Sequence, residues 1–202
     1  MKPITVGVVD YSIGNQASLA YSLRALGYRV LISCQVNELN SVDLLILPGV
    51  GAFPAVMAAL QQRGLDTYLR SAAHAGRPMI GICVGMQLLT SGSRELGFTK
   101  GLDLISGEVI PFEDRRAHIG WNTVVSACHS NESTAVNSLF YFNHSYYVTG
   151  AGEYTTAFTE HRVRFASALR HKNIVGLQFH PEKSQNAGKL LFTDLIKELV
   201  VA

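Results

Sequence analysis

A cysteine flanked by two glycines is the residue in this sequence best placed to act as a nucleophile. Residues 79–89 read Met-Ile-Gly-Ile-Cys-Val-Gly-Met-Gln-Leu-Leu, an apolar run that leads through Cys83 into a helical pattern. This is the nucleophile-elbow pattern, in which a glycine two residues to either side permits a sharp strand-to-helix turn. The following helix favours the thiolate, Val84 can donate its backbone N–H to an oxyanion, and Gln87 lies one helical turn beyond. A buried cysteine packed as a small apolar side chain is the alternative for a lone G-x-C-x-G.

A histidine followed by proline and glutamate supplies a candidate base. Residues 174–184 form an apolar strand pattern that runs out into Phe-His-Pro-Glu, with the histidine at position 180. Proline disfavours a helical conformation before it, so we expect His180 and Glu182 to point to the same side, as residues two apart in a strand do. The Glu182 carboxylate would hold one imidazole nitrogen and leave the other to exchange a proton with Cys83. The other six histidines are interpreted as ordinary surface or core residues.

The remaining polar residues predict neither a cofactor nor a metal site. His118, Cys128 and His129 are close in sequence but lack a paired ligand spacing such as C-x-x-C or H-E-x-x-H. A glycine-rich phosphate loop is also lacking. We therefore expect the chemistry to depend on side chains alone.

Composition places the chain among compact proteins of a reducing compartment. Its 17 basic and 15 acidic residues are scattered, which argues against a nucleic-acid-binding surface. Three cysteines are too few and too odd in number for a disulfide framework, and the start of the chain has neither a signal-peptide nor a membrane-span pattern. We expect a cytoplasmic protein that contacts no membrane.

Hydrophobic patterning indicates which elements position these residues. The first half alternates apolar runs with helical stretches, as parallel strands with crossover helices do. The strands predicted there cover residues 5–10, 29–32, 44–47 and 79–82, and the helices include one capped by Asn15 and ended by Gly27, one over 55–62 and one over 66–75. Short β-prone runs at 104–112, 122–125, 139–142, 154–158, 165–168 and 174–178 predict an added antiparallel layer, and residues 188–200 a final helix.

The predicted fold is α/β, with an open, mostly parallel central sheet flanked by helices and an added antiparallel β layer. No linker or repeat interrupts residues 1–202, so a single domain is expected. Loops at the carboxyl ends of the parallel strands should hold the site.

Three motifs in this order resemble the class I (triad) glutamine amidotransferases: Pro48-Gly49-Val50-Gly51, residues 81–87, and Phe179-His180-Pro181-Glu182. The resemblance spans nearly the whole chain and implies a flavodoxin-like core. It also implies that L-glutamine is hydrolysed to glutamate and ammonia through a thioester on Cys83. By position, Val50 and Gly51 would supply the second oxyanion donor.

The same resemblance extends to the residues that bind substrate and partner. Gln87 and the backbone of Ser145 and Tyr146 would cradle the glutamine. Residues 10–15, 118–122 and 144–147 resemble a narrower group, whose members form a heterodimer with a (β/α)8-barrel cyclase of histidine biosynthesis and pass ammonia to it. The positions that match partner-facing residues of that group are Asn15, Trp121, Asn122, Tyr141 and Lys183.

Three alternatives remain open from the sequence. A paralogous glutaminase would feed ammonia to a sugar amidotransferase of surface-polysaccharide synthesis. A cysteine peptidase or other hydrolase would need an open groove instead of a closed pocket for a free amino acid. A non-catalytic module would not need all three triad positions filled, as they are here.

Overall fold

The computed structural model describes residues 3–13, 16–114, 116–127 and 138–201. The strands in these ranges are β1 (Thr5–Val9), β2 (Arg29–Ser33), β3 (Leu44–Leu47), β4 (Met79–Ile82), β5 (Gly92–Ser93), β6 (Thr99–Lys100), β7 (Glu108–Pro111), β8 (His118–Ser126), β9 (Ser138–His144), β10 (Tyr146–Thr149), β11 (Thr155–His161), β12 (Val163–His171) and β13 (Ile174–Leu177). The helices are α1 (Gln16–Ala25), α2 (Val36–Leu39), α3 (Phe53–Gln62), α4 (Leu65–His74), α5 (Val84–Leu88) and α6 (Gln185–Val201). Single 3₁₀ turns cover Gly152–Tyr154 and Pro181–Lys183.

A parallel core of five strands lies in the order β2-β1-β3-β4-β13. Every residue of β3, β4 and β13 is buried, as expected for parallel strands covered on both faces. The predicted open parallel sheet is therefore confirmed. Its register places Ile82 beside Leu177, so the residues that follow these two strands emerge together at the carboxyl edge.

The prediction that residues 174–178 belong to the antiparallel layer is wrong for one side of that strand. β13 pairs antiparallel with β12 but parallel with β4, so it joins the two parts of the sheet. The partner of a strand is set by tertiary packing, and an apolar run of four residues carries no mark of it.

The added antiparallel layer is confirmed. β12 pairs with β13, β10 and β11, and β8 links β11 to β9. Of the strand predicted over 104–112, only Glu108–Pro111 forms, after Gly107 at a φ of 145°. The sequence did not predict β10 as a separate strand, because a single residue, Ser145, separates it from β9. The two strands differ in their partners: β9 pairs with β8, whereas β10 pairs with β7 and β12.

The helix ends follow the expected signals where they are described. Gly27 follows α1 with a φ of 88° and donates its N–H to the Arg24 carbonyl, as a glycine at a helix end does. Asn15, the predicted cap of this helix, lies outside the described residues, as does Cys128. Within the described ranges, no helix combines the length and apolar character needed to cross a bilayer.

Candidate active site

The Cys83 turn is formed by backbones packed too closely for side chains. Cys83 lies between β4 and α5 with φ 52° and ψ −109°, a sparsely populated conformation for a residue other than glycine. A Cβ at Gly81 would lie 2.4 Å from the Gly85 carbonyl oxygen, and one at Gly85 would lie 2.0 Å from the Leu47 carbonyl oxygen. Both glycines of the elbow are therefore required by steric contact.

His180 and Glu182 form a buried hydrogen-bonded pair. His180 Nδ1 lies 2.8 Å from Glu182 Oε1, with the two side chains 2% and 8% exposed. Because the carboxylate only accepts, Nδ1 carries the hydrogen and Nε2 is left for the sulfur. The expected strand continuation through Glu182 is wrong: Pro181–Lys183 is a 3₁₀ turn, and this turn brings the carboxylate back to the ring.

The environment of His180 favours the imidazolium. Burial alone would lower the pKa of His180, but hydrogen bonds and charge interactions with Cys83 and Glu182 outweigh it and raise the pKa to about 9. An imidazolium beside a thiolate is the arrangement needed to protonate a leaving amine after nucleophilic attack. Cys83 and His180 are far apart in sequence, yet Cys83 is among the groups that raise the pKa of His180.

A cavity of about 260 Å³ opens above Cys83. The six residues predicted to contact substrate all line it: Val50, Gly51, Val84, Gln87, Ser145 and Tyr146. The volume is below the roughly 300–1,000 Å³ of sites for drug-sized ligands, and so suits a single amino acid better than a peptide.

The 49–51 strip packs directly against the elbow. A Cβ at Gly49 would lie 1.7 Å from the Ile82 carbonyl oxygen and 2.5 Å from the Val84 nitrogen, and Gly51 has a φ of 113°. The fully buried Tyr11 donates its hydroxyl to the Pro48 carbonyl just before the strip. Burial, with a smaller effect from Cys83, raises the pKa of Tyr11, so the hydroxyl remains a donor.

Gln87 differs in detail from the sequence interpretation. Its Nε2 donates to the Tyr146 carbonyl at 3.0 Å and to Gln178 Oε1 at 3.1 Å. Both amide hydrogens are therefore used within the protein, and only Oε1 is left to accept from a ligand.

Glu95 lines the cavity and is absent from the sequence prediction. Its Oε2 accepts the Phe53 N–H at 2.8 Å, which fixes the carboxylate at the start of α3. Nothing in the local sequence marks Glu95, because its place in the site depends on contacts between residues 42 positions apart. A carboxylate at this position can bind the ammonium group of an amino acid.

Among the residues predicted to face a partner, three lie close together on one surface. Trp121 is 47% exposed and contacts the Tyr141 ring edge to face, and Lys183 Nζ lies 5.7 Å from the centre of that ring. Asn122 donates from Nδ2 to the Glu160 carbonyl at 2.9 Å. Asn15 lies outside the described residues.

Behind the cavity lies a cluster of uncharged histidines. His144 Nδ1 donates to the Tyr146 carbonyl at 2.7 Å, and His144 Nε2 lies 3.0 Å from His118 Nδ1. The His161 ring stacks on His118 with centroids 4.1 Å apart. Burial is the main cause that lowers the pKa of His118 to about 4 and that of His144 to about 3.

We expect the unfolding free energy of His118→Gln to decrease less at acid pH than that of the wild type. Unfolded histidines bind protons near pH 6.5, whereas folded His118 and His144 do so only near pH 4 and pH 3. The unfolding free energy must therefore fall as the pH drops from 7 to 4. Removing His118 should reduce that fall by about 2 kcal/mol, measured by urea unfolding at several pH values.

The exposed His74 provides the control for this prediction. His74→Gln should keep the wild-type pH dependence of stability. An unchanged dependence in His118→Gln would show that His118 titrates alike in the folded and unfolded chains.

Known proteins resemble this chain over nearly its whole length. A family model described as glutamine amidotransferase class-I matches residues 7–198. A curated protein of Carboxydothermus hydrogenoformans, named imidazole glycerol phosphate synthase subunit HisH, is 40% identical over 93% of this chain and 96% of its own. Its namesake from Moorella thermoacetica is 42% identical over 93% of this chain and 91% of its own.

Solved structures share the fold at low identity. One described as a glutamine amidotransferase superimposes with a TM-score of 0.79 at 17% identity, covering 98% of this chain and 99% of that one. The structure of PurLQS from Thermotoga maritima gives a TM-score of 0.77 at 19% identity, covering 98% of this chain and all of that one. The predicted fold class is thereby confirmed.

Proposed function

This chain belongs to the class I glutamine amidotransferases and, within them, to the HisH glutaminase subunits of imidazole glycerol phosphate synthase, and we propose that Cys83, His180 and Glu182 carry its glutaminase reaction. The observation that supports these roles best is the buried His180–Glu182 pair at 2.8 Å, with the His180 pKa raised to about 9 in part by Cys83. A buried imidazole that is held by a carboxylate and favoured as the imidazolium by a nearby cysteine is the arrangement that a Cys-His-Glu triad requires.

The proposed reaction has two halves. The Cys83 thiolate attacks the side-chain amide carbon of glutamine, and the Val84 N–H with a second N–H from Val50 or Gly51 donates to the resulting oxyanion. The His180 imidazolium gives its proton to the departing nitrogen, so ammonia leaves and a thioester remains. Water then attacks the thioester, His180 takes the proton, and glutamate is released.

Glu95 is proposed to recognise the α-ammonium group of glutamine. Glu95→Gln keeps an oxygen that can accept the Phe53 N–H but removes the charge. We expect the KM for glutamine to rise about 10-fold or more with a smaller change in kcat, because a charge-assisted bond is lost. Steady-state glutamate release would measure it.

Glu108→Gln is the matched control, since Glu108 pairs with Arg94 at 3.0 Å and does not line the cavity. It should leave KM unchanged. Equal KM values for Glu95→Gln and wild type would show that the Glu95 charge does not contribute to glutamine binding.

We propose that the ammonia passes to a (β/α)8-barrel cyclase in the cytoplasm, which makes imidazole glycerol phosphate and AICAR from it. Ile119, Trp121, Tyr141 and Asn143 alternate along β8 and β9 in register, so they share one face of this strand pair. Ile119 is 64% and Trp121 47% exposed, while Asn143 lines the cavity. An exposed apolar surface that leads to the nucleophile suits a partner that receives the product.

A reconstitution experiment tests this proposal. The chain would be mixed with the cyclase of the histidine pathway and the cyclase's substrate, and glutamate and imidazole glycerol phosphate would be measured together. We expect both products in equal amounts with glutamine as the nitrogen source. Glutamate release coupled only to a sugar amidotransferase would instead assign the chain to the polysaccharide paralogues.

A further inference from the structure

We propose that Gln178 is a further catalytic residue, one that donates a hydrogen bond to the Cys83 sulfur and stabilises it as a thiolate; this rests on the proposed function. Gln178 follows β13 and its side chain is fully buried. Its Nε2 lies 3.6 Å from Cys83 Sγ, within hydrogen-bonding range of sulfur. The parallel register of β13 and β4 accounts for this contact, because it aligns the residues just beyond Ile82 and Leu177.

Neighbouring hydrogen bonds fix which end of the Gln178 amide faces the sulfur. The Tyr146 carbonyl can only accept, so the nitrogen of Gln87, 3.0 Å away, must point to it. The second hydrogen of that nitrogen lies toward Gln178 at 3.1 Å, so the atom of Gln178 that receives it must be oxygen. The remaining atom of the Gln178 amide, the one nearest the sulfur, is therefore the nitrogen donor.

The Tyr146 carbonyl, from which this assignment starts, accepts a second hydrogen bond. Besides Gln87, His144 donates to the Tyr146 carbonyl, at 2.7 Å. Because His144 and Gln87 approach the same oxygen, neither can be reversed without placing two acceptors together. The polarity of the Gln178 amide is thus determined by the protein backbone at β10.

The Gln178 N–H donor matters most when Cys83 is ionised. The neutral thiol can donate to the Asn143 carbonyl, 3.7 Å away, but a thiolate can only accept. Cys83 is 3% exposed, so water offers the charge little stabilisation. Gln178 Nε2, 3.6 Å from the sulfur, then supplies a donor in addition to the His180 imidazolium.

Two substitutions separate donation from packing. Gln178→Met keeps an unbranched side chain of similar volume but removes the N–H donor. Gln178→Glu keeps the shape and can still accept from Gln87, but it places an oxygen against the sulfur. We expect glutaminase kcat/KM to fall about 10- to 100-fold in the first variant and further in the second.

The decisive measurement is the pH dependence of Cys83 alkylation by iodoacetamide, in the complete chain. The midpoint of the profile should move upward by about one pH unit in Gln178→Met, and further in Gln178→Glu. Ser167→Ala is the matched control, because the buried Ser167 hydroxyl has no hydrogen-bond partner among the described residues and the Ser167 carbonyl accepts the Gln178 backbone N–H. Its profile should coincide with that of the wild type.

A profile of Gln178→Met that coincides with the wild type would overturn the inference, whatever happens to activity. Should the methionine variant fail to fold, the isosteric glutamate variant decides by the same criterion. Failure of the proposed function gives a different result: wild-type chain alkylated on Cys83 would still hydrolyse glutamine.

Discussion

Cys83→Ala will reduce glutamine hydrolysis by about 10⁴-fold or more, while the assembled complex keeps its turnover with added ammonium salts. In the proposed mechanism the substitution removes the sulfur that forms the thioester, and the oxyanion donors and His180 cannot replace a missing nucleophile. Ammonium bypasses this site because it reaches the cyclase without being released from glutamine. Glutamate release and synthesis from ammonium, measured on the same preparation, test both halves.

Cys34→Ala is the matched control for Cys83→Ala. Cys34 is a partly buried free cysteine just beyond β2, and it does not line the cavity. It should leave both activities unchanged. Loss of ammonium-dependent synthesis in Cys83→Ala would instead indicate that Cys83 supports the structure of the complex.

The parts of the site that were predictable from sequence are those set by local chain geometry. A strained turn at Cys83 requires Gly81 and Gly85, and this pattern of glycines around a cysteine can be recognised from the sequence alone. The position of Glu182 two residues after His180 is also local. The prediction succeeded there although the turn is a 3₁₀ turn and not a strand, because either conformation keeps these two side chains close.

Residues placed by pairing between distant strands were not predictable in the same way. The register of β13 against β4 brings Gln178 to Cys83, and Glu95 at the cavity accepts a hydrogen bond from Phe53, which is 42 residues away in sequence. For Asn122 the strand was predicted but the hydrogen-bond partner was not. Its position in β8 is as expected, but its amide nitrogen donates to the Glu160 carbonyl of the same chain. Sequence indicates such residue types without indicating their hydrogen-bond partners.

Gly85→Ala should be among the most damaging single-methyl changes in this protein. The added Cβ would lie 2.0 Å from the Leu47 carbonyl oxygen and 2.9 Å from the Leu47 carbonyl carbon, which are backbone atoms of a buried strand. Because backbone in a packed sheet cannot move aside, the elbow must shift. We expect the unfolding free energy in urea to fall by about 3 kcal/mol and glutaminase kcat/KM to fall about 100-fold or more in the folded fraction.

Gly7→Ala tests whether the identity of the opposing atoms decides the effect. Its Cβ would also meet a neighbour at short range, 2.7 Å, but that neighbour is a Val42 methyl group. A valine side chain can shift more easily than sheet backbone, so we expect a smaller loss, about 1–2 kcal/mol, and no change in kcat. Similar losses of stability and activity in both variants would mean that crowding anywhere in the parallel sheet disturbs Cys83. A selective loss in Gly85→Ala would instead locate the constraint at the contact between the elbow and the end of β3, where the 49–51 strip begins.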